Sequence, residues 1–202
     1  MVDLVIFDLD GVLVDACDWH RISLNDALLE VCGYEIPISE HYEIYNGIPT
    51  RKKLQMLTDR NLISREDHDE VYKLKQQRTV SNIKKYASIR NEKRDMLKEL
   101  KARGIFTACY TNSIRETANL MLEKTGILDL FDFVLTNQDV REPKPSPEGY
   151  IFLMKHFNID PKDVIIVEDS PRGLEAAHSS GARVFKVSDP GEVSIDLFLE
   201  VL

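Results

Sequence analysis

Five short apolar runs, rich in β-branched residues, alternate along this chain with longer stretches that carry helix-end signals. Apolar runs without polar alternation are typical of strands that are buried on both faces. Alternation of such strands with helices favours a parallel sheet, because neighbouring parallel strands need a crossover that is usually helical. The runs are residues 4–9, 105–111, 133–136, 164–167 and 182–187. The pattern therefore predicts an α/β fold.

The helices between the later runs have recognisable ends. They cover residues 92–103, 114–125 and 172–180, and the glycines that close them are Gly104, Gly126 and Gly181. Glycine is the usual residue after a helix because it adopts the left-handed conformation at little cost. Ser113 and Glu116 have the Ser-x-x-Glu spacing of a capping box, which predicts a helix start directly after the second strand. The free backbone N–H groups of such a start favour an anion.

A long segment separates the first strand from the helix that starts near residue 92. It has roughly 75 residues, whereas a simple strand-to-helix loop has about 2 to 6. Helical patterns occur at residues 19–31, 42–45 and 51–60, and again after the capping candidate Ser64. We therefore predict an all-helical cap domain at residues 15–86, inserted into a core of residues 1–14 and 87–202. The hinges are expected near residues 14–17 and 86–90.

Composition excludes several kinds of partner. The chain has 26 basic and 34 acidic side chains, a formal net charge of −8, which works against nucleic acid or an anionic membrane surface as a partner. It starts without a basic region and has no apolar run near the ~20 residues that span a bilayer. Cys17, Cys32 and Cys109 lack the Cys-x-x-Cys spacing of a metal or redox motif. We therefore expect a cytoplasmic monomer that acts on a small molecule.

Polar side chains that could carry chemistry follow the first two runs. Asp8, Asp10 and Gly11 come at the end of the first run, although Asp and Gly are also common turn formers. Thr111 and Asn112 follow the second run, where a hydroxyl, an amide and backbone N–H groups can bind phosphate oxygens. Taken alone, these two residues are better explained by helix capping.

Charged side chains follow the next two runs. Lys144 comes after the third run in the segment Pro-Lys-Pro-Ser-Pro, whose prolines restrict the backbone. The fourth run ends in a second acidic pair, Glu168 and Asp169, followed by Ser170 and Pro171. Crowded carboxylates repel each other unless a cation lies between them. The alternatives are a solvated loop lysine and a capped helix start.

All four segments follow predicted strands, and this common position favours a functional site over four separate turns. The carboxyl ends of parallel strands meet at one edge of a sheet, so all four segments are expected at the same edge, where open α/β folds bind ligands. Hard oxygen ligands suit Mg²⁺, and a lysine balances the charge of a phosphate. Together, the acids, the lysine and the hydroxyl predict a Mg²⁺-dependent site for a phosphoryl group.

The order of these segments resembles the motif order of the haloacid dehalogenase superfamily: Asp8-Leu9-Asp10-Gly11, Thr111-Asn112, Lys144-Pro145 and Glu168-Asp169-Ser170. The resemblance covers essentially the whole chain. The position of the helical insert is similar to that of the branch with β-phosphoglucomutase-like and phosphoglycolate-phosphatase-like enzymes. It implies a Rossmann-like core of five parallel strands in the order 5-4-1-2-3, under a mobile cap. It also implies a phosphatase that acts on a small phosphorylated metabolite.

The resemblance implies roles for the catalytic residues. Asp8 would attack phosphorus as the nucleophile, forming a phosphoaspartate. Asp10 would protonate the leaving oxygen and then deprotonate the water that hydrolyses this intermediate. Thr111 and Lys144 would hold the phosphoryl oxygens. The hydrolytic dehalogenases of the superfamily lack an acid at the position of Asp10, so its presence favours phosphoryl transfer.

The resemblance also implies a metal site and a source of specificity. Mg²⁺ would be bound by Asp8, the Asp10 backbone carbonyl and Asp169, with Glu168 either binding it or supporting those ligands. Cap residues would select the leaving group while closure of the cap excludes water. The candidates are His20 on the first cap helix and Arg51, although exposed helix residues of both types are usually only solvated.

One segment departs from the superfamily pattern, and two other functions stay open. Residues 86–90 lack the Pro-Gly pair with which cap-bearing relatives usually re-enter the core, so movement of the cap could differ. A phosphomutase would use the same residues but return the phosphoryl group to a sugar. A phosphorylation-switch receiver also combines acids, Thr and Lys on a five-stranded parallel sheet. The Asp-x-Asp spacing and the large helical insert argue against a receiver.

Overall fold

The computed structural model describes residues 2–201, and its centre is a five-stranded sheet in which every pair of neighbours is parallel. The strands are β1 (Leu4–Phe7), β2 (Phe106–Tyr110), β3 (Phe133–Leu135), β4 (Val164–Glu168) and β5 (Arg183–Lys186). Their spatial order is β3-β2-β1-β4-β5. This is the predicted order read from the other edge of the sheet, so the predicted fold class is confirmed.

The described chain divides into two compact units, Ala16–Tyr86 and the combination of Met1–Asp15 with Ala87–Leu202. The helices of the first unit are α1 (Cys17–Cys32), α2 (Ile38–Glu40), α3 (Thr50–Asp59) and α4 (His68–Tyr86), with a π-helical turn at His41–Tyr45 and a 3₁₀ turn at Arg65–Asp67. Its buried side chains form a separate apolar cluster that includes Leu24, Leu28, Tyr45, Leu54 and Val71. We call this unit the cap unit. Whether the two units are independent domains stays a prediction.

The second unit, which we call the core unit, carries the sheet and four longer helices. These are α5 (Asn91–Ala102), α6 (Arg115–Lys124), α7 (Glu148–Phe157) and α8 (Pro171–Ser179). Leu4 and Ile6 of β1 pack in one buried cluster with side chains of α7 and α8 such as Leu153 and Ala176. Burying an aliphatic side chain of this size stabilises the fold by roughly 1.5–3 kcal/mol, so this cluster positions the carboxyl ends of the central strands.

The chain after β5 is held by a buried lysine. It forms two 3₁₀ turns, Pro190–Glu192 and Ile195–Phe198. Lys93 of α5 has no exposed surface, and its Nζ donates hydrogen bonds to the backbone oxygens of Pro190 and Val193. The last turns are thereby fixed against α5. None of the helices within residues 2–201 is long and apolar enough to cross a membrane.

The predicted capping box after β2 is wrong. Helix α6 begins at Arg115, and its N-cap is Ile114, which makes no side-chain capping bond. The Ser113 hydroxyl instead donates to Oδ2 of Asp10 at 2.9 Å. The helix starts one residue later than the Ser-x-x-Glu spacing requires, so Ser113 is not its N-cap residue.

Candidate active site

The carboxyl edge of the sheet brings together three charged residues that lie far apart in the sequence. Lys144 Nζ lies 2.6 Å from Asp8 Oδ1, pairs with Glu168 Oε1, and donates to the backbone oxygen of Tyr110 at 2.8 Å. Only 4 % of Lys144 is exposed, and Glu168 is fully buried. Burial alone would lower the pKa of Lys144, but Asp8 and Glu168 raise it well above its usual range. The lysine is therefore a fixed positive charge.

The backbone of Lys144 is located by Asn112. The Asn112 Nδ2 group donates to the Lys144 carbonyl, the Lys144 N–H donates to Asn112 Oδ1, and both distances are 3.1 Å. The Lys144-Pro145 peptide bond is cis. The Asn112 side chain therefore serves to hold the lysine, and its predicted contact with phosphate stays a prediction.

The second acid of the first segment is oriented by two hydroxyl groups. Oδ2 of Asp10 accepts from Thr111 Oγ1 at 3.1 Å and from Ser113 Oγ at 2.9 Å. Gly11 has a φ of +94°, which lets the chain turn directly after the first acidic pair. A Cβ at Gly11 would also lie 2.3 Å from Asp169 Oδ2. A glycine is therefore required where this loop approaches the second acidic pair.

Three acids crowd one point of this edge. Asp8, Glu168 and Asp169 can each offer a carboxylate oxygen such that the three oxygens lie within 4.8 Å of one another. Burial raises the pKa of Asp8 well above its usual range; Lys144 opposes this shift, whereas Glu168 and Asp169 add to it. Burial, with the charge of Glu168, raises the pKa of Asp169 to about 7. Ionisation of all three carboxylates beside a single ammonium group is thus unfavourable without further positive charge.

The donor set fits a divalent cation. Oδ1 of Asp169 is buried and has no hydrogen-bond partner within the part of the chain that the structure describes. Burying a carboxylate oxygen without a partner costs free energy, and a bound cation at this oxygen would remove that cost. All the available side-chain atoms are carboxylate oxygens, the ligands that Mg²⁺ and other hard cations prefer.

Glu168 is surrounded by donors. Its Oε1 accepts from Lys144 and from the Tyr150 hydroxyl, the latter at 2.7 Å. Its Oε2 accepts from the backbone N–H of Asp169 at 3.1 Å and lies 3.4 Å from both the N–H and the hydroxyl of Ser170. The carboxylate is thus held from both sides. Tyr150 was not a predicted site residue, and nothing in its sequence context distinguishes it from a core residue of α7.

The start of α8 makes room for this carboxylate. A Cβ at Gly173 would lie 2.0 Å from Glu168 Oε1, so a side chain cannot be accommodated there without displacing the acid. Ser170 caps the helix by accepting from the Gly173 N–H at 3.1 Å, with Pro171 in the first turn. The capping alternative for Ser170 is therefore correct, and it coexists with the acidic cluster.

The two predicted substrate contacts, His20 and Arg51, lie in the cap unit. His20 Nδ1 lies 3.1 Å from Lys75 Nζ. Arg51 forms an exposed ion pair with Asp69 at 3.2 Å, and its guanidinium lies 4.4 Å from the centroid of the Tyr72 ring. Each of these side chains thus has a partner within the cap unit. Their role in substrate selection stays a prediction.

A protein-family model matches most of the chain, including the residues of the site. A model of the haloacid dehalogenase-like hydrolase family matches residues 5–187. The chain belongs to this family, as its motif order predicted, and it is therefore an enzyme of the hydrolase class. The matched region includes all four motif segments and the cap unit.

Two relatives support the predicted branch of the family, and a solved structure shares the fold. The chain is 28% identical over 195 residues to a pyrophosphatase of Bacillus velezensis, covering 93% of this chain and 83% of the relative. It is 28% identical over 193 residues to a phosphoglycolate phosphatase of Nitrosospira multiformis, covering 92% and 83%. A β-phosphoglucomutase of Clostridium difficile has the same fold, with a TM-score of 0.84, 24% identity and coverage of 99% and 96%.

Proposed function

We propose that this chain is a Mg²⁺-dependent phosphatase that hydrolyses a small phosphorylated metabolite through an aspartyl-phosphate on Asp8. The observation that carries the proposal is the buried Asp8–Lys144 pair beside the acids Glu168 and Asp169, with Asp10 at the same edge of the sheet. The two relatives at 28% identity are a pyrophosphatase and a phosphoglycolate phosphatase, which supports phosphate release as the reaction.

Asp8 is the nucleophile in this proposal. One of its carboxylate oxygens forms a bond to phosphorus as the bond between phosphorus and the leaving oxygen breaks, so the phosphoryl group passes to the aspartate. Lys144, 2.6 Å from Oδ1, orients the carboxylate and offers positive charge to the phosphoryl oxygens. A bound Mg²⁺, held by Asp8, Asp169 and the Asp10 carbonyl, would supply the charge that lets two anions approach.

Asp10 is the general acid and base. The hydroxyls of Thr111 and Ser113 both donate to its Oδ2, so the orientation of its carboxyl group is set. In the first step it gives a proton to the leaving oxygen, which departs as an alcohol. In the second step it takes a proton from the water that attacks phosphorus, and the bond between phosphorus and Asp8 breaks to release phosphate. Asp8 is thereby regenerated as a carboxylate and Asp10 as a carboxylic acid.

The test is phosphate release from a panel of sugar phosphates, nucleoside monophosphates, phosphoglycolate and glycerol phosphates, with Mg²⁺ or with EDTA. Wild type is compared with Asp8→Asn and with Asp129→Asn, a matched change at an exposed aspartate of the core unit. We expect release that requires Mg²⁺ in wild type and Asp129→Asn and that is lost in Asp8→Asn. The best substrate then shows the preferred leaving group.

Two other outcomes would contradict the proposal. Conversion of a hexose 1-phosphate to its isomer without free phosphate would identify a phosphomutase. A long-lived phosphoaspartate on Asp8 without turnover of any compound would identify a phosphorylation switch. Turnover with a phosphoaspartate lifetime of seconds or less supports the phosphatase.

A further inference from the structure

Two buried tyrosines, Tyr110 of β2 and Tyr150 of α7, enclose the ammonium group of Lys144. Lys144 Nζ lies 4.7 Å from the Tyr110 ring centroid and 5.2 Å from the Tyr150 ring centroid. The two ring centroids are 5.0 Å apart, and the ring planes are inclined by 85°. Neither tyrosine has exposed surface. Lys144 Nζ therefore lies over the faces of both rings, and such contacts are strongest with a desolvated cation.

The two tyrosines differ in whether the hydroxyl group has a hydrogen-bond partner. The Tyr150 hydroxyl donates to Glu168 Oε1 at 2.7 Å. The Tyr110 hydroxyl is buried and has no hydrogen-bond partner among residues 2–201. The chain thus contains two neighbouring tyrosines in similar surroundings, of which only one is bonded to an acid of the cluster.

The Tyr150 hydroxyl fixes the Oε1 side of the Glu168 carboxylate, while the backbone N–H groups of Asp169 and Ser170 lie on the Oε2 side. The last torsion angle of a glutamate has broad minima, so the donors around the carboxylate set its orientation. On Oε1 those donors are Lys144 and Tyr150. Lys144 has three rotatable donors on a flexible stem and does not define the carboxylate plane by itself. Tyr150 has one donor on a rigid ring, so its hydrogen bond defines the direction in which Oε1 points.

Packing fixes that ring in turn. Gly149 brings the first turn of α7 directly against Tyr110, because a Cβ at Gly149 would lie 2.3 Å from Tyr110 Cζ. The residue after this close contact is Tyr150. Its position relative to β2 and β4 is therefore set by contacts between backbone and ring rather than by a flexible side chain.

We propose that Tyr150 is a positioning residue, whose hydroxyl holds Glu168, and through it Lys144, in the arrangement that binds Mg²⁺ and the phosphoryl group. The proposal rests on the proposed function. Hydrogen-bond partners of residues at a metal site are often as important as the ligands themselves, and their loss weakens metal affinity or activity by about 10- to 100-fold. Tyr150 has this relationship to the acidic cluster.

The test compares Tyr150→Phe with Tyr110→Phe, since each variant removes one buried hydroxyl and keeps the ring. Mg²⁺ dissociation constants are measured by calorimetry without substrate, and kcat and KM are measured with the best substrate. We expect Tyr150→Phe to raise the Mg²⁺ dissociation constant and lower kcat about tenfold more than Tyr110→Phe does, with KM changed by less than about threefold. Thermal unfolding is measured in parallel to monitor folding.

Each other outcome has a defined meaning. Equal Mg²⁺ affinities of the two variants, or a lower Tm of Tyr150→Phe without a change in Mg²⁺ affinity or kcat, would overturn the positioning role. If wild type binds Mg²⁺ but releases no phosphate from any compound, the proposed function fails, and the calorimetric comparison still decides the role of Tyr150. A wild-type protein that binds no Mg²⁺ would overturn both.

Discussion

The Asn112 side chain and the Lys144 backbone exchange two hydrogen bonds, both of 3.1 Å, across 32 residues of sequence. The amide group of Asn112 has one acceptor and two donors, so it can satisfy a peptide N–H and a carbonyl at the same time. The loop after β2 therefore locates the lysine that follows β3. The position of this charge depends on an asparagine that need not touch the substrate.

Asn112→Ala is expected to lower kcat about tenfold or more, because Lys144 loses both bonds that locate its backbone. Two uncharged hydrogen bonds contribute about 1 kcal/mol each, so the free energy of unfolding should fall by about 2 kcal/mol. Steady-state kinetics and urea unfolding measure the two effects. Asn119→Ala, in α6, is the matched control. A kcat equal to that of this control would show that Lys144 is held without Asn112.

Gly173→Ala is expected to destabilise the core unit, although alanine has the higher helix propensity by about 1 kcal/mol. The new Cβ would lie 2.0 Å from Glu168 Oε1, and the buried carboxylate cannot move without losing its donors. Overpacking of this kind costs about 1–3 kcal/mol. Urea unfolding of Gly173→Ala and of Glu175→Ala, an exposed position of the same helix, gives the comparison. A gain in stability at position 173 would contradict the geometry.

Stability is expected to depend on the ionisation of Lys93. Burial lowers the pKa of Lys93 from 10.5 to about 8. Between these two values the unfolded chain binds a proton that the folded protein has lost, so the free energy of unfolding rises with pH in that range. The free energy of unfolding of wild type minus that of Lys93→Met should therefore increase from pH 8 to pH 10.5. A constant difference would mean that Lys93 keeps its ordinary pKa.

Substitutions of His20 and Arg51 test the predicted role of the cap unit. His20→Ala and Arg51→Ala are each expected to lower kcat/KM for the best substrate, mainly through KM, while the Tm changes little. The exposed pair of Arg51 with Asp69 contributes at most about 1 kcal/mol. Lys52→Ala, at an exposed neighbouring position, is the control. Values equal to this control for both variants would show that the substrate is selected elsewhere.

The sequence predicted the meeting of Asp8, Lys144 and Glu168 because it depends on a simple rule, whereas the strand order was implied by the resemblance to the superfamily. Each of these residues follows an apolar run, and parallel strands place their carboxyl ends at one edge. The insert was evident from its length alone. These features depend on pattern and topology rather than on the packing of individual side chains.

The partners of those residues were not predictable in the same way. Tyr150 reaches Glu168 only because Gly149 allows α7 to approach Tyr110, a tertiary contact that local sequence does not encode. Ser113 fits a capping box by spacing, yet it bonds to Asp10 from a segment about a hundred positions earlier. The spacing alone therefore misplaced the helix start by one residue and did not indicate the distant partner of this hydroxyl.

The central position of β1 also constrains how the chain can fold during synthesis. Leu4 of β1 pairs with both Phe106 and Val164, so β1, which is synthesised before either neighbour, acquires the second one only when β4 is complete. The apolar cluster of the cap unit, in contrast, comes from one continuous segment, Ala16–Tyr86. The cap unit can thus bury its own cluster on the ribosome before β2 and β4, the neighbours of β1, have been synthesised.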